Sequence, residues 1–151
     1  MFIIAVTGLI GSGKDEVANY LVKRYGFTLL DHSEIMGKIL KELGKPQTRE
    51  EKRRLRLERG NFFTAEIVNQ KIKKEKLERV IVGSLRRPEE FEVLKREFPQ
   101  ALLVVVEARN RVRFERLQGR KRDAPNSWEA FLAADRLEEK GYHFKKTFSY
   151  A

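Results

Sequence analysis

Apolar residues along this chain fall into two kinds of run. Phe2–Val6, Val80–Val82 and Ala101–Val106 are continuous, with no polar residue in alternate places. Such runs suit strands buried on both faces, as in a parallel sheet. A shorter fourth strand is expected at Phe27–Leu30. Elsewhere the apolar positions recur at helical spacing. Val17, Ala18, Leu21, Val22 and Tyr25 share one face, as do Ile35, Met36, Ile39, Leu40 and Leu43 before Gly44 and Pro46 end that helix. Thr48 and Glu51 form a T-x-x-E capping box that opens a highly charged helix toward Arg59. Gly60 breaks it, and another helix is expected from about Asn61 to Lys76. Pro88 suits a first helical position, with Glu89 and Glu90 at the positive end of the dipole and Phe91, Leu94 and Phe98 as the buried stripe. Two last helices are expected at about Asn110–Leu117 and Ser127–Lys140, the second closed by Gly141.

The order β-α-β-α-α-α-β-α-β-α-α predicts one three-layer α/β/α domain over residues 1–151, with a mostly parallel sheet and right-handed crossovers. Composition narrows the chemistry. Cysteine is absent and His32 and His143 are the only histidines, which excludes a disulfide scaffold and thiolate zinc sites. No apolar run approaches the roughly 20 residues of a membrane span. The start, MFIIAVTGLIGSGK, lacks a basic n-region, so a cytoplasmic location without membrane contact is expected. The formal net charge of +10 points to anionic partners. Dense Lys, Arg and Glu without cysteine also fits a heat-adapted protein.

The strongest chemical signal is Gly8-Leu9-Ile10-Gly11-Ser12-Gly13-Lys14-Asp15, between an expected strand and an expected helix. This is the context of a phosphate-binding loop of the G-x-x-x-x-G-K type. Glycines permit close backbone approach, successive amides bind phosphate oxygens, and Lys14 brings a mobile charge to the outer phosphates. A Ser or Thr normally follows the lysine and ligates Mg²⁺. Asp15 stands there instead. It either supplies a hard carboxylate ligand to Mg²⁺ or only favours the helix N-terminus.

Together with Val80-Ile81-Val82-Gly83-Ser84-Leu85-Arg86-Arg87-Pro88-Glu89-Glu90 and Val112-Arg113-Phe114-Glu115-Arg116-Leu117, the loop resembles the small P-loop kinases of the nucleoside-monophosphate-kinase and dephospho-CoA-kinase-like groups. The resemblance spans nearly the whole chain. It implies the P-loop NTPase fold and ATP- or GTP-dependent transfer, with Mg²⁺, to a nucleotide or small phosphorylated metabolite. It places Gly8 to Asp15 on the nucleotide and Lys14, Arg86, Arg116 and Arg120 around the transferred group. Asp31, Arg86 and Arg87 fall to the acceptor, Asp15 to the metal. The lid corresponds to about residues 118–126, including Lys121 and Arg122, and the acceptor-side helices to about 33–76.

Two departures qualify the resemblance. Family members often end the third strand in Asp-Gly; Gly83-Ser84 stands here, suggesting a carboxylate relocated to Asp15. Members also continue into a fifth strand, whereas Phe148-Ser149-Tyr150-Ala151 closes this sequence. Only four strands are therefore expected, with the edge at Ala101–Val106 covered by the aromatic tail or by a second subunit, as in a homodimer.

Several candidates have bland counterparts. Arg86 could instead pair with Glu89 or Glu90. Asp31 could cap the next helix, although Ser33 suits that role better. His32 reads as a solvated turn residue. The basic runs at 52–56 and 71–76 read as solvated faces unless they join the lid arginines in one stripe, in which case nucleic acid becomes a partner. The competing functional reading is a nucleotide-binding module that transfers no phosphate and acts through RNA or a protein.

Overall fold

The computed structural model describes residues 1–120 and 124–151. Lys121, Arg122 and Asp123, in the expected lid segment, lie outside the described residues. β1 (Phe2–Thr7) leads through the glycine-rich turn into α1 (Lys14–Tyr25). There follow β2 (Thr28–Asp31), α2 (His32–Glu42), α3 (Arg49–Arg59), α4 (Phe63–Lys74), β3 (Arg79–Gly83) and α5 (Pro88–Glu97). β4 (Leu102–Val105), α6 (Asn110–Gln118), α7 (Trp128–Tyr142) and α8 (Phe144–Phe148) complete the described elements.

The four strands form one parallel sheet in the order β2-β3-β1-β4. Their continuous apolar runs supply both faces. Ile3 and Ala5 of β1, Val80 and Val82 of β3 and Leu30 of β2 pack with Val68, Ile72, Phe91 and Leu94 of α4 and α5. Val6 and Ile81 meet Ala18 of α1 instead, with Ile4, Leu21 and Leu29 beside them. This is the three-layer α/β/α architecture that the patterning predicts. A third cluster, Met36, Leu40 and Leu55 with Phe63, locks α2 and α3 over the start of α4.

Several local expectations change. α2 begins at His32, so Asp31 is its cap and its Oδ1 accepts the Glu34 amide at 3.0 Å. Ser33, favoured for that role, instead receives Lys52 Nζ at 2.8 Å. α7 passes through Gly141 to Tyr142, and His143 takes the left-handed turn with φ 57°. Histidine is among the residues that tolerate this region. The later stop sets the Tyr142 ring beside arginines and buries Phe144.

The tail is helical and packs on α5. Thr147 is buried, and the Tyr150 ring lies 5.9 Å from that of Phe91. The expectation that the tail shields β4 is therefore corrected: Tyr150 stacks on Phe91 of α5 instead. Leu102 and Val104 of β4 stay 61% and 38% exposed in the single chain.

Candidate functional site

The turn from β1 to α1 is folded around its glycines. Gly11 and Gly13 have φ of 77° and 94°, a region costly for residues with a Cβ. A Cβ on Gly8 would lie 2.5 Å from both Ser12 Oγ and Val106 O. The Ser12 amide closes the turn onto Leu9 O at 3.0 Å. Leu9 and Ile10 form its outer bend. α1 starts at Lys14, so the loop ends where unpaired amides and the helix dipole favour an anion. Ser12 Oγ is buried with no protein partner.

Two arginines of α6 hold this loop from behind. Arg116 Nη1 donates to Gly11 O at 3.1 Å and Ser12 O at 3.0 Å. Arg113, 1% exposed, donates to Ile10 O at 3.1 Å and Asn110 Oδ1 at 2.9 Å and pairs with both oxygens of Asp135 on α7. Its guanidinium lies 4.9 Å from the Phe131 ring centre. The family resemblance implies a place for Arg116 over the phosphates as a lid charge. In this structure its guanidinium is bound to loop carbonyls, and it braces the loop. Arg113, read only as part of the lid surroundings, is the more buried brace.

Lys14 and Asp15 sit at the mouth of the loop, with Lys14 Nζ 3.8 Å from the Asp15 carboxylate. Burial lowers the Lys14 pKa below its ordinary 10.5; Asp15 partly opposes this, Arg86 and Arg120 push it further down, and Asp31 gives slight relief. Lys14, Arg86 and Arg120 thus bring three positive charges from separate segments to one cleft. Such convergence is unfavourable until an anion enters.

Asp31 reaches the end of β3 from the neighbouring strand. Its Oδ2 accepts the Ser84 hydroxyl at 2.7 Å and would lie 2.7 Å from a Cβ on Gly83. Asp15 and Asp31 both line a small lobe of the cleft beside Lys14. Two hard oxygen donors of this kind suit a magnesium ion. No group of three or more His, Cys, Asp or Glu converges as a cage among the described residues.

Beyond β3, the buried Glu90 carboxylate accepts the amides of Arg86 and Arg87 at 2.7 and 3.1 Å, and Arg56 Nη2 at 3.4 Å. Glu90 thus organises the main chain at Arg86, and the Arg86 guanidinium lies 3.9 Å from Glu138 of α7 instead. The Tyr142 ring centre is 5.3 Å from the guanidinium carbons of Arg86 and Arg87, and 5.6 Å from that of Arg56. His32 is 1% exposed rather than solvated, because α2 begins with it and turns it inward. Burial is the main cause of its pKa falling below 6.5.

A larger lobe of about 730 Å³ joins these parts. Gly8, Ile10, Lys14 and Asp15 line it with Arg86, Arg87 and Arg120. So do Arg49, Lys52, Arg53 and Arg56 of α3, the last three from the 52–56 run expected on a solvated face. Their spacing i, i+3, i+4, i+7 on one helix was the available signal. Tyr142 and Glu138 were missed too, and no local pattern marks them. The 71–76 run lies apart, with Lys71 3.8 Å from Glu75 and Lys73 paired with Glu97. Trp128 packs on Phe114 and Phe131, with ring centres 5.4 and 5.5 Å away.

Residues 4–149 match the AAA domain family. A UPF0200 protein of Pyrococcus abyssi is 31% identical over 90% of this chain and 77% of its own length. One from Thermococcus gammatolerans is 32% identical over 88% and 74%. Among solved structures, shikimate kinase from Bacteroides thetaiotaomicron matches with TM-score 0.62 at 18% identity, over 93% of this chain and 78% of that one. A gluconokinase from Sinorhizobium meliloti matches with TM-score 0.54 at 18% identity, over 88% and 72%. At such identity these two speak to the fold, which is that of the small P-loop kinases. With the span of these matches and the loop geometry in agreement, this chain belongs to the UPF0200 group of the AAA domain P-loop family.

Proposed function

We propose that this chain is a phosphotransferase that moves a phosphoryl group from ATP or GTP to a nucleotide or other small phosphorylated acceptor. The observation that carries the reading is the convergence of Lys14, Arg86 and Arg120 on one cleft at the mouth of a phosphate-binding loop. Phosphoryl transfer needs positioning and positive charge around the migrating group more than covalent chemistry. The loop amides and Lys14 hold the outer phosphates. Arg86 and Arg120 balance charge on the transferred group, with Arg87 beside the acceptor. Asp31, fixed by Ser84 and the Glu34 amide, orients the acceptor's attacking oxygen. Asp15, with Asp31 nearby, would hold a magnesium ion, which would supply charge neutralisation at the phosphates.

The test is ADP formation from Mg-ATP with a panel of nucleoside monophosphates and dephospho-CoA. Turnover should require one acceptor and fall about 100-fold in Lys14→Ala. Acceptor-independent hydrolysis, or none, together with salt-sensitive RNA binding, supports a non-catalytic module instead.

A further inference from the structure

The basic lining of the larger lobe extends well past the transfer point, and this bears on the acceptor. α3 presents Arg49, Lys52, Arg53 and Arg56 in one line along the cleft. Glu50 and Glu51 of the same helix pair with Arg54, each at 2.8 Å. The cleft-facing side of α3 is thus lined by basic residues, with Glu50 and Glu51 outside it.

The line has an inner and an outer end. Arg56 is buried, tied to Glu90, and shares the Tyr142 ring with Arg86. Arg53 and Arg49 are exposed and lie one and two turns farther out. At 1.5 Å per residue, they stand about 5–10 Å along the helix from Arg56. A single phosphate cannot touch both ends of such a line. Resting on the kinase reading above, we propose that the acceptor carries two anionic groups about 5–10 Å apart along this helix. The inner one meets Arg86 and Arg56, and the outer one meets Arg53 and Arg49. A bisphosphorylated small molecule has this chemistry. The lobe favours it over nucleic acid, because the arginines line a bounded cleft shared with the P-loop and the other basic run lies outside it.

The experiment is titration calorimetry of the whole chain with adenosine 5′-monophosphate and adenosine 3′,5′-bisphosphate as probes, at two salt concentrations. The bisphosphate should bind roughly tenfold tighter or more at low salt, and salt should shrink the gap. The double variant Arg49→Gln/Arg53→Gln should lose that tenfold preference, whereas Arg54→Gln/Arg59→Gln, with the same charge change off the cleft, should keep it. Equal binding of both probes by the native chain, or an unchanged preference in the double variant, overturns the proposal. So does tighter binding of a short single-stranded RNA that is lost in the double variant. A parallel ATP titration separates the two levels. Absent ATP binding removes the kinase reading itself, while ATP binding without bisphosphate preference removes only the second anion.

Discussion

Lys14 carries its charge where that charge is disfavoured. Burial lowers its pKa below 10.5, and Arg86 and Arg120 add to the effect. The sign of the consequence is fixed. Between the folded value and 10.5 the unfolded chain binds more protons, so the free protein gains stability as pH rises through that window. A bound polyphosphate does the opposite by favouring the ammonium, so nucleotide affinity falls over the same range and binding takes up protons. Calorimetry in buffers of different ionisation heat should show this uptake in the native chain and none in Lys14→Met; equal uptake in both contradicts the assignment. Glu138 yields a second residue-level prediction. It faces Arg86 at 3.9 Å in a partly exposed pair, an arrangement worth about 0.2–1 kcal/mol. Glu138→Gln frees Arg86 for external anions and should raise inorganic phosphate affinity up to about fivefold. A weaker affinity would mean that Glu138 helps to position Arg86.

At the scale of elements, Glu90 matters more than its place in a helix cap suggests. One carboxylate joins the start of α5 to α3, through the amides of Arg86 and Arg87 and the guanidinium of Arg56. Removing one member of a buried charge pair costs about 3–5 kcal/mol. Glu90→Gln should destabilise the chain to that extent in urea titration and weaken acceptor binding more than ATP binding. Equal loss of both would make Glu90 a general stability residue. The contrast with what the sequence revealed is physical. The strands, the glycine loop and the Thr48 cap were legible because continuous apolar runs, φ > 0 positions and a cap three residues away are local constraints. The α7 terminus was not, since Gly141 is permitted to end a helix but packing at Tyr142 and Phe144 decided where it stopped. The α3 arginines were equally opaque: their charge is visible in the sequence, but which way they face depends on Leu55 packing against Met36 and Leu40.

Across the whole molecule, α7 links the two halves of the cleft. Near its middle, Asp135 holds Arg113, and through it Ile10 of the loop. Toward its end, Glu138 and Tyr142 lie against the arginines that follow β3. The nucleotide loop and the acceptor side are therefore joined by one rigid helix as well as by the sheet. Arg113→Met tests this link. It keeps apolar volume against Phe131 but leaves Asp135 without its partner and Ile10 O without its donor. The expected loss is about 3–5 kcal/mol, which for a chain of this size lowers Tm by roughly 6–20 °C. Arg113 lies behind the loop, so ATP affinity should fall even at temperatures where the variant is fully folded. Adding Asp135→Leu removes the unpaired carboxylate and should recover much of the Tm while leaving ATP binding weak. Recovery of both together would show that the arginine acts only on stability; recovery of Tm alone would show that it sets the shape of the loop.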